Sequence, residues 1–555
     1  MSSRADSLKR AAAWLLALAV LVGAYALLDA TLLAKVTVGR NDSESIKILL
    51  IGIAMLLAVG RWAWLRWMEP KKTAAAAWTR HLLAFLMLAL CFSATLNYGR
   101  YGLKLVRDRI DVYDVIHYYL GPKYFPELGY FDLYPACILA DHEAGTHFKP
   151  DPPTYQAQTA EGYEVLPFQA ALVRGQAVKE RFTPARWEAF VHDFTTLQRE
   201  YYGLTRDYWY QLINDHGFNG TPAWAGYVAP MVELFPVEHV KWLCYGDVLI
   251  LLVAVGVAWW AFGGWSAAFL FFFLLTTYST RWPTISWAIM RYDYAVALIL
   301  ATAMVKKGKP LLAGLFAGHA AAMRLFPLTW FYGPGVEGAW QLVRHRRVSR
   351  FAVLFFVGAV VWMGALELNF AARYGTEPIV THWKGMTEHM DPENLSSRRL
   401  GLAIAMAYRG QVHEPWSFDR IDIVERQEPV RKAVGLALLL ALGWALRRAD
   451  RTEAYAMGFI AFFAMATASY YYFVVRAPLF LVHSEGLRRT RHMVALVWLL
   501  GIDLFCNLAQ QHLGGNRIFV IGWLGWLLLI YCVGMIAVLL IEGHRKPDLP
   551  APEGA

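Results

Sequence analysis

Charge is what this chain has least of. Asp, Glu, Lys and Arg make up 17% of its 555 residues, and hydrophobic residues 57%. Soluble domains average about 25% charged and about 45–50% apolar, so an ordinary soluble fold is excluded. Cysteine is also scarce. Cys91, Cys137, Cys244, Cys506 and Cys532 show no CxxC or CxxxC spacing, which indicates neither a zinc site nor a disulfide framework. No Walker motif, dinucleotide fingerprint or HExxH pair occurs. Gly263-Gly264 and Gly514-Gly515 fall in membrane turns rather than between a strand and a helix. Soluble nucleotide chemistry is therefore disfavoured. No small-residue cleavage site follows the basic start, so the apolar run 11–34 reads as a retained helix. Neither a 20–50-residue repeat nor the inverted duplication common in transporters stands out.

What the chain has is long apolar runs, with a mean hydropathy of +0.34. Many approach the roughly 18–20 residues that span a bilayer, so the chain reads as an all-α polytopic membrane protein. The net charge of +10 points to no nucleic acid. Its basic residues cluster in short loops, where the positive-inside rule places them in the cytoplasm. Those loops are Arg66 to Arg80, Lys306-Lys307-Gly308-Lys309, Arg344 to Arg350, Arg447 to Arg451, Arg488 to Arg491, and the tail Arg545-Lys546. Threading the chain through them gives about 14 crossings with both termini cytoplasmic. Between Lys309 and Arg344 there is room for only two short helices, a hairpin whose outer tip lies near Arg324. A second hairpin carries Tyr470-Tyr471-Tyr472 at its tip.

The chain divides accordingly. Residues 1–77 are a two-helix extension with a basic loop, and 78–99 the first core helix. Residues 100–243 form a large external loop with interfacial helices, and 244–370 a central bundle with the Arg324 hairpin. Residues 371–431 are a second external loop, and 432–555 a C-terminal bundle.

The notable polar clusters all fall outside in this topology. They are Asp111 to Tyr130, Arg281 to Asp293, the Arg324 tip, His382 to Arg399, and the Tyr470 tip. Such convergence on one membrane face is the pattern of an active site at the outer leaflet. Asp114 is the first candidate base, since a carboxylate in a partly desolvated cleft can take a hydroxyl proton. Asp111 competes with it, three residues earlier on the same helical face. The plainer reading is that both cap an interfacial helix, which leaves His117, Tyr118 and Tyr119 unexplained. Arg324 suits a phosphate or pyrophosphate whose charge builds as it leaves; the plainer reading is a snorkelling anchor. Arg291-Tyr292-Asp293 is either a local ion pair or a second contact to phosphate or sugar hydroxyls. His382 and His389 suit a phosphate contact or proton relay, against a plain surface loop; their spacing does not favour a metal. Asp141-His142-Glu143 reads as a solvated turn.

These stretches resemble the integral-membrane glycosyltransferases of the GT-C superfamily, most of all the bacterial glycosyltransferase 87 group (DUF2029), related to polyprenol-phosphate-dependent mannosyltransferases. The likeness is carried by Asp114 through Tyr134, by Arg291-Tyr292-Asp293 leading into Lys306 to Pro310, by Ala313-Gly314 through Arg324-Leu325-Phe326-Pro327, and by Ser469 through Phe473 with Ala477-Pro478. It reaches from about residue 78 to 510. The external segment 100–243 is longer than that group's, and two helices precede the core. The resemblance implies a GT-C-like fold and transfer of a sugar, with inversion, from a polyprenyl-phosphate donor to the hydroxyl of a lipid, glycan or protein. It implies no metal or other cofactor. Asp114 or Asp111 would be the base. Arg324, Arg291, Asp293, His117, Tyr118, His382, His389 and Tyr471 would bind donor phosphate and sugar. The setting would be a bacterial inner membrane, among its lipids, with the site facing the periplasm or exterior. A transporter or flippase for lipid-linked glycans, and a non-catalytic assembly subunit, are the competing classes.

Overall fold

The computed structural model describes residues 16–17, 19–27, 38–101, 110–159, 162–200, 204–280, 287–389, 398–410, 421–512 and 517–545. Helices dominate throughout. Among the described residues, seven are long and apolar enough to cross a membrane: Asn41–Lys71, Ala74–Tyr98, Val237–Phe262, Arg350–Tyr374, Glu428–Leu446, Thr490–His512 and Ile518–Glu542. Gly264–Thr276 and Pro310–Met323 are shorter apolar helices. Other expected crossings fall on still shorter pieces such as Gly458–Met465 and Ala477–Glu485. Of the expected first helix, 11–34, only residues 16–17 and 19–27 are described, and these are helical.

The basic turns gather at one end of the bundle. Arg451 forms a two-pronged pair with Glu337, which also accepts from Ser349. Arg491 pairs with Glu453 at 2.5 Å and Glu542 at 3.0 Å. Lys306 meets Glu485 at 2.6 Å, and Arg488 meets Glu69. Loops far apart in sequence are thus tied together by charge.

Two helices set the spacing of the centre. A Cβ on Gly314 would lie 1.9 Å from the Phe355 carbonyl oxygen, and one on Gly318 2.6 Å from that of Ala359. Because 314 faces 355 and 318 faces 359, Pro310–Met323 and Arg350–Tyr374 run parallel. Glycine four residues apart lets backbones touch, the device by which membrane helices associate without a hydrophobic drive between them. Parallel packing puts Lys309 and Arg350 at the same end, as the charge pattern requires.

The Arg324 hairpin contains the two short helices expected, Pro310–Met323 and Tyr332–His345, but its descent begins as a 3-10 segment. Pro310–Met323 rises for 14 residues, about 21 Å at 1.5 Å per residue. The return begins with a 3-10 segment, Phe326–Phe331, around the fully buried Trp330. The following helix, Tyr332–His345, already carries Glu337 into the ion pairs at the basic end. The tighter 3-10 rise of about 2 Å per residue lets a short segment cover that height.

The described residues of the segment expected to be external, 100–243, form a folded cap. Helices Leu133–Glu143, Phe168–Lys179, Pro184–Arg199, Arg206–Ile213 and Pro222–Leu234 surround a two-stranded antiparallel hairpin, β1 (Thr154–Thr159) and β2 (Gly162–Pro167). That hairpin was not anticipated. Phe182, Trp187, Phe190, Phe194 and Trp209 fill its core. Arg174 and Arg181 both pair with Asp132, at 2.6 and 2.8 Å. Asp141 corrects the expected solvated turn: it is buried and accepts from the His147 amide at 3.0 Å, closing the loop after its helix. The cap is fastened to the bundle where Phe125 meets Phe370 and Tyr374, and where Gly226 leaves room for Phe370.

Gly314→Val should therefore cost about 1–3 kcal/mol, the usual cost of overpacking, read as a lower unfolding temperature in detergent. Gly364→Val, on the same helix pair with nothing within 4 Å of the added carbon, should leave that temperature unchanged. Equal effects would refute the close-contact account.

Candidate functional site

The chain enters the site along an extended backbone. Ile110 bridges Trp287 in parallel, and the Asp111 amide donates to the Trp287 carbonyl at 2.9 Å. Asp111 then caps the short helix Val112–Val115, its Oδ1 accepting from the Asp114 amide at 3.5 Å. The capping reading therefore holds for one oxygen of Asp111. The other pairs with Arg291 Nη1 at 3.0 Å, and Asp114 Oδ2 pairs with the same nitrogen at 2.5 Å. One helical turn separates the carboxylates, so one guanidinium reaches both.

Arg291 is held in place from behind. Asp247, with no exposed surface, accepts from the amides of Ala288 at 3.1 Å and Tyr292 at 3.2 Å. This clamp shapes the turn that carries Arg291, just before helix Asp293–Lys306 begins.

Arg324 sits where its helix stops. Its Nη1 donates to the Met323 carbonyl at 3.0 Å, and its guanidinium carbon lies 5.9 Å from the rings of both Tyr294 and Tyr472. Aromatic faces hold a cation without neutralising it. The Arg324 Nε has no partner, and among the described residues no carboxylate stands within ion-pair distance. Tyr471 and Tyr472 belong to the 3-10 segment Tyr470–Arg476. That segment is locked by Arg476, fully buried, whose Nη2 reaches Asp503 at 3.0 Å. The same Asp503 oxygen accepts from the Thr277 hydroxyl and the Tyr278 amide, each at 2.9 Å.

These elements enclose a polar cavity of about 80 Å³, room for several water molecules. Its lining combines Asp114, Asp215 and Asn219 with Arg291 and Arg324, walled by Tyr118, Tyr294, Tyr471 and Tyr472. Asp111 does not line it. Burial pushes the Asp111 carboxyl up to about 6, helped by the Asp114 charge and opposed by Arg291. Burial also raises Asp114, against the pull of Arg291 and with the push of Asp215. Desolvation thus outweighs the ion pair, and Asp114 has more basicity than an ordinary aspartate.

Seven of the candidates come together here: Asp111, Asp114, His117, Tyr118, Arg291, Arg324 and Tyr471. His117 is fixed at both ring nitrogens. Tyr134 accepts from the Gly217 amide at 2.9 Å and so donates to His117 Nε2 at 2.9 Å, leaving Nδ1–H to donate to the Tyr113 carbonyl at 2.8 Å. Burial lowers its pKa, so it is a neutral brace for the cavity wall. That corrects its expected contact to phosphate. Asp293 does not line the cavity. Its Oδ1 accepts from the Tyr294 amide at 2.6 Å, and its Oδ2 faces His319 Nε2 at 4.0 Å. His382 also stands outside the lining, buried against Tyr130, with its pKa pushed down to about 4 by burial and by Arg324. His389 ends helix Glu377–His389, and its side chain lies outside the described residues, as does Arg281.

The sequence reading missed Asp215, Asn219, Asp247 and Tyr294, and named Tyr472 only as part of a hairpin tip. Asp247, an acid opening an apolar span, carried a signal. Asn214-Asp215-His216-Gly217 is an ordinary turn sequence and carried none. Among the described residues no group of three or more His, Cys, Asp or Glu side chains is arranged to hold a metal ion. Comparison with family models, with curated proteins and with solved structures finds no match.

Arg291→Ala would leave two half-buried carboxylates facing each other, at a cost below the roughly 3–5 kcal/mol of breaking a fully buried pair. Arg324→Ala strands no carboxylate. Thermal unfolding in detergent should therefore fall much further for Arg291→Ala than for Arg324→Ala; equal losses would show that the pair is not structural.

Proposed function

We propose that this chain is a membrane glycosyltransferase of GT-C type, moving a sugar from a polyprenyl-phosphate donor to an acceptor hydroxyl. The observation that carries this reading is one cavity holding a raised carboxylate, Asp114, and a guanidinium, Arg324, with no carboxylate partner among the described residues. Acid–base chemistry and anion binding at one place are what such a transfer requires. The position of these groups, at the end of the bundle away from the basic turns, suits a lipid-linked donor reached from the outer leaflet of a bacterial inner membrane.

In the reaction, the acceptor oxygen attacks the anomeric carbon as its proton passes to Asp114. The bond from that carbon to the phosphate oxygen breaks, and the phosphate leaves with the electron pair. Arg324 balances the charge that builds on it. Arg291 holds Asp114 Oδ2 and leaves Oδ1 to the incoming hydroxyl. Asp111 shares Arg291 and sets how strongly Asp114 holds a proton. Attack opposite the leaving phosphate inverts the anomeric centre.

One observation favours a second reading. The buried Arg476–Asp503 pair lies among apolar helices, and ionisable groups at such depth often mark a transport path. Asp503 Oδ1, however, already accepts from Arg476, Thr277 and the Tyr278 amide. A carboxylate so occupied fixes a turn better than it passes a substrate.

Membranes containing the protein should transfer label from a polyprenyl-phosphate sugar to a lipid or polymer fraction. Asp114→Asn should lower the rate by about 100-fold or more, the scale of a lost general base. Arg324→Ala should raise KM for the donor and lower kcat. Wild-type activity should fall on the acid side at a higher pH than an ordinary aspartate would give, because the base must be unprotonated and burial raises the Asp114 carboxyl. Asp111→Asn removes the repelling charge, lowers the Asp114 pKa and should move that acid limb to lower pH. An unchanged limb would remove Asp111 from this role, and no transfer from any donor would end the transferase reading.

A further inference from the structure

The cap contributes an edge to the cavity. Residues 215, 217 and 219 line it, while the residues between them point into the cap. The His216 ring packs on Tyr163, with centroids 4.7 Å apart, and the buried Phe218 stacks on Tyr130 at 5.7 Å. The side chains thus alternate between cavity and cap, with a left-handed turn of the backbone between them. Gly217 is required at its centre. Its φ is +66°, and a Cβ there would lie 2.5 Å from the Gln158 side chain. Its amide is anchored by Tyr134 at 2.9 Å. The edge is therefore fixed before anything binds.

What it presents is polar, and the Tyr113 hydroxyl is the side-chain hydrogen-bond partner of Asp215. Among the described residues no lysine, arginine or histidine lies within ion-pair distance of Asp215, although it lines the same cavity as two arginines. Asn219 is exposed, and its Oδ1 is only a distant acceptor for Tyr118, at 3.5 Å. A carboxylate accepts hydrogen bonds and a carboxamide both donates and accepts. Four residues apart but lining one cavity, each can meet a hydroxyl of a ring bound there. A site built to hydrogen-bond hydroxyls rejects a ligand lacking them, because its own polar groups are left unpaired.

We propose that Asp215 and Asn219, carried on the Asp215–Asn219 edge of the cap, bind the hydroxyls of a sugar in this cavity and decide which sugar is accepted. This rests on the transferase reading. Hydroxyls of the donor sugar and of a sugar on the acceptor share this chemistry.

The test uses the full-length protein in detergent and measures binding by thermal shift and intrinsic fluorescence. The probes are a polyprenyl phosphate, the same lipid carrying a hexose, and a water-soluble alkyl glycoside as acceptor surrogate. Wild type should bind the hexose-bearing lipid or the glycoside at least about tenfold more tightly than the sugar-free control. Asp215→Asn and Asn219→Ala should each remove most of that difference, leaving binding of the bare polyprenyl phosphate unchanged. Asp207→Asn, exposed on the neighbouring helix, should change nothing. Loss in the lipid arm alone would assign the donor sugar, and loss in the glycoside arm alone the acceptor. Sugar preference that survives both substitutions would overturn this proposal and leave the transferase reading standing. Absence of binding to every polyprenyl-phosphate lipid by wild type would remove both.

Discussion

One guanidinium joins the halves of this molecule. Arg291 reaches Asp111 and Asp114 from the turn before a bundle helix, and those two acids open the cap. Two carboxylates one helical turn apart repel when desolvated, so the pair is stable only with a cation between them. The cap can therefore sit on the bundle in one register. Around it, the Asp247 clamp fixes the turn that bears Arg291, and the backbone bridge from Ile110 to Trp287 fixes the strand that bears Asp111.

The same constraint explains the chemistry available in the cavity. A lone buried aspartate would take up a proton, and an aspartate fully matched by an arginine would lose its basicity. Sharing Arg291 between two acids gives neither outcome. Burial and mutual repulsion win over the single positive charge, and the carboxylates titrate above their usual range while staying in place. Arg324 is treated in the opposite way. Tyrosine rings flank it, so it keeps an unspent positive charge facing the cavity.

Those side chains arrive by different routes because the bundle contains short hairpins. Arg324 stands on a helix that stops after 14 residues, and Tyr471 and Tyr472 stand on a 3-10 segment pinned by Arg476 and Asp503. Close glycine contacts between Pro310–Met323 and Arg350–Tyr374 hold the first hairpin deep in the bundle. Long spans alone would carry the same residues past the site. Full-length helices pack with shorter ones that end in polar tips.

The apolar runs, the basic loops and the polar residues at the opposite ends are written in the sequence, because hydropathy and charge act locally. They were enough to place Asp111, Asp114, Arg291, Arg324 and Tyr471 on one side of the bundle. They also separated the cap from the helices. Tertiary structure decided the rest. Nothing in the spacing of His117 says that Tyr134 and Tyr113 occupy both its nitrogens, or that Asp293 turns toward His319 instead of the cavity. Asp215 looked like any loop acid until Phe218 and Gly217 turned its backbone. Partners chosen between separate elements depend on packing, which no local pattern encodes. Sequence by itself determined which residues must avoid lipid; only the fold decided which of them face one another.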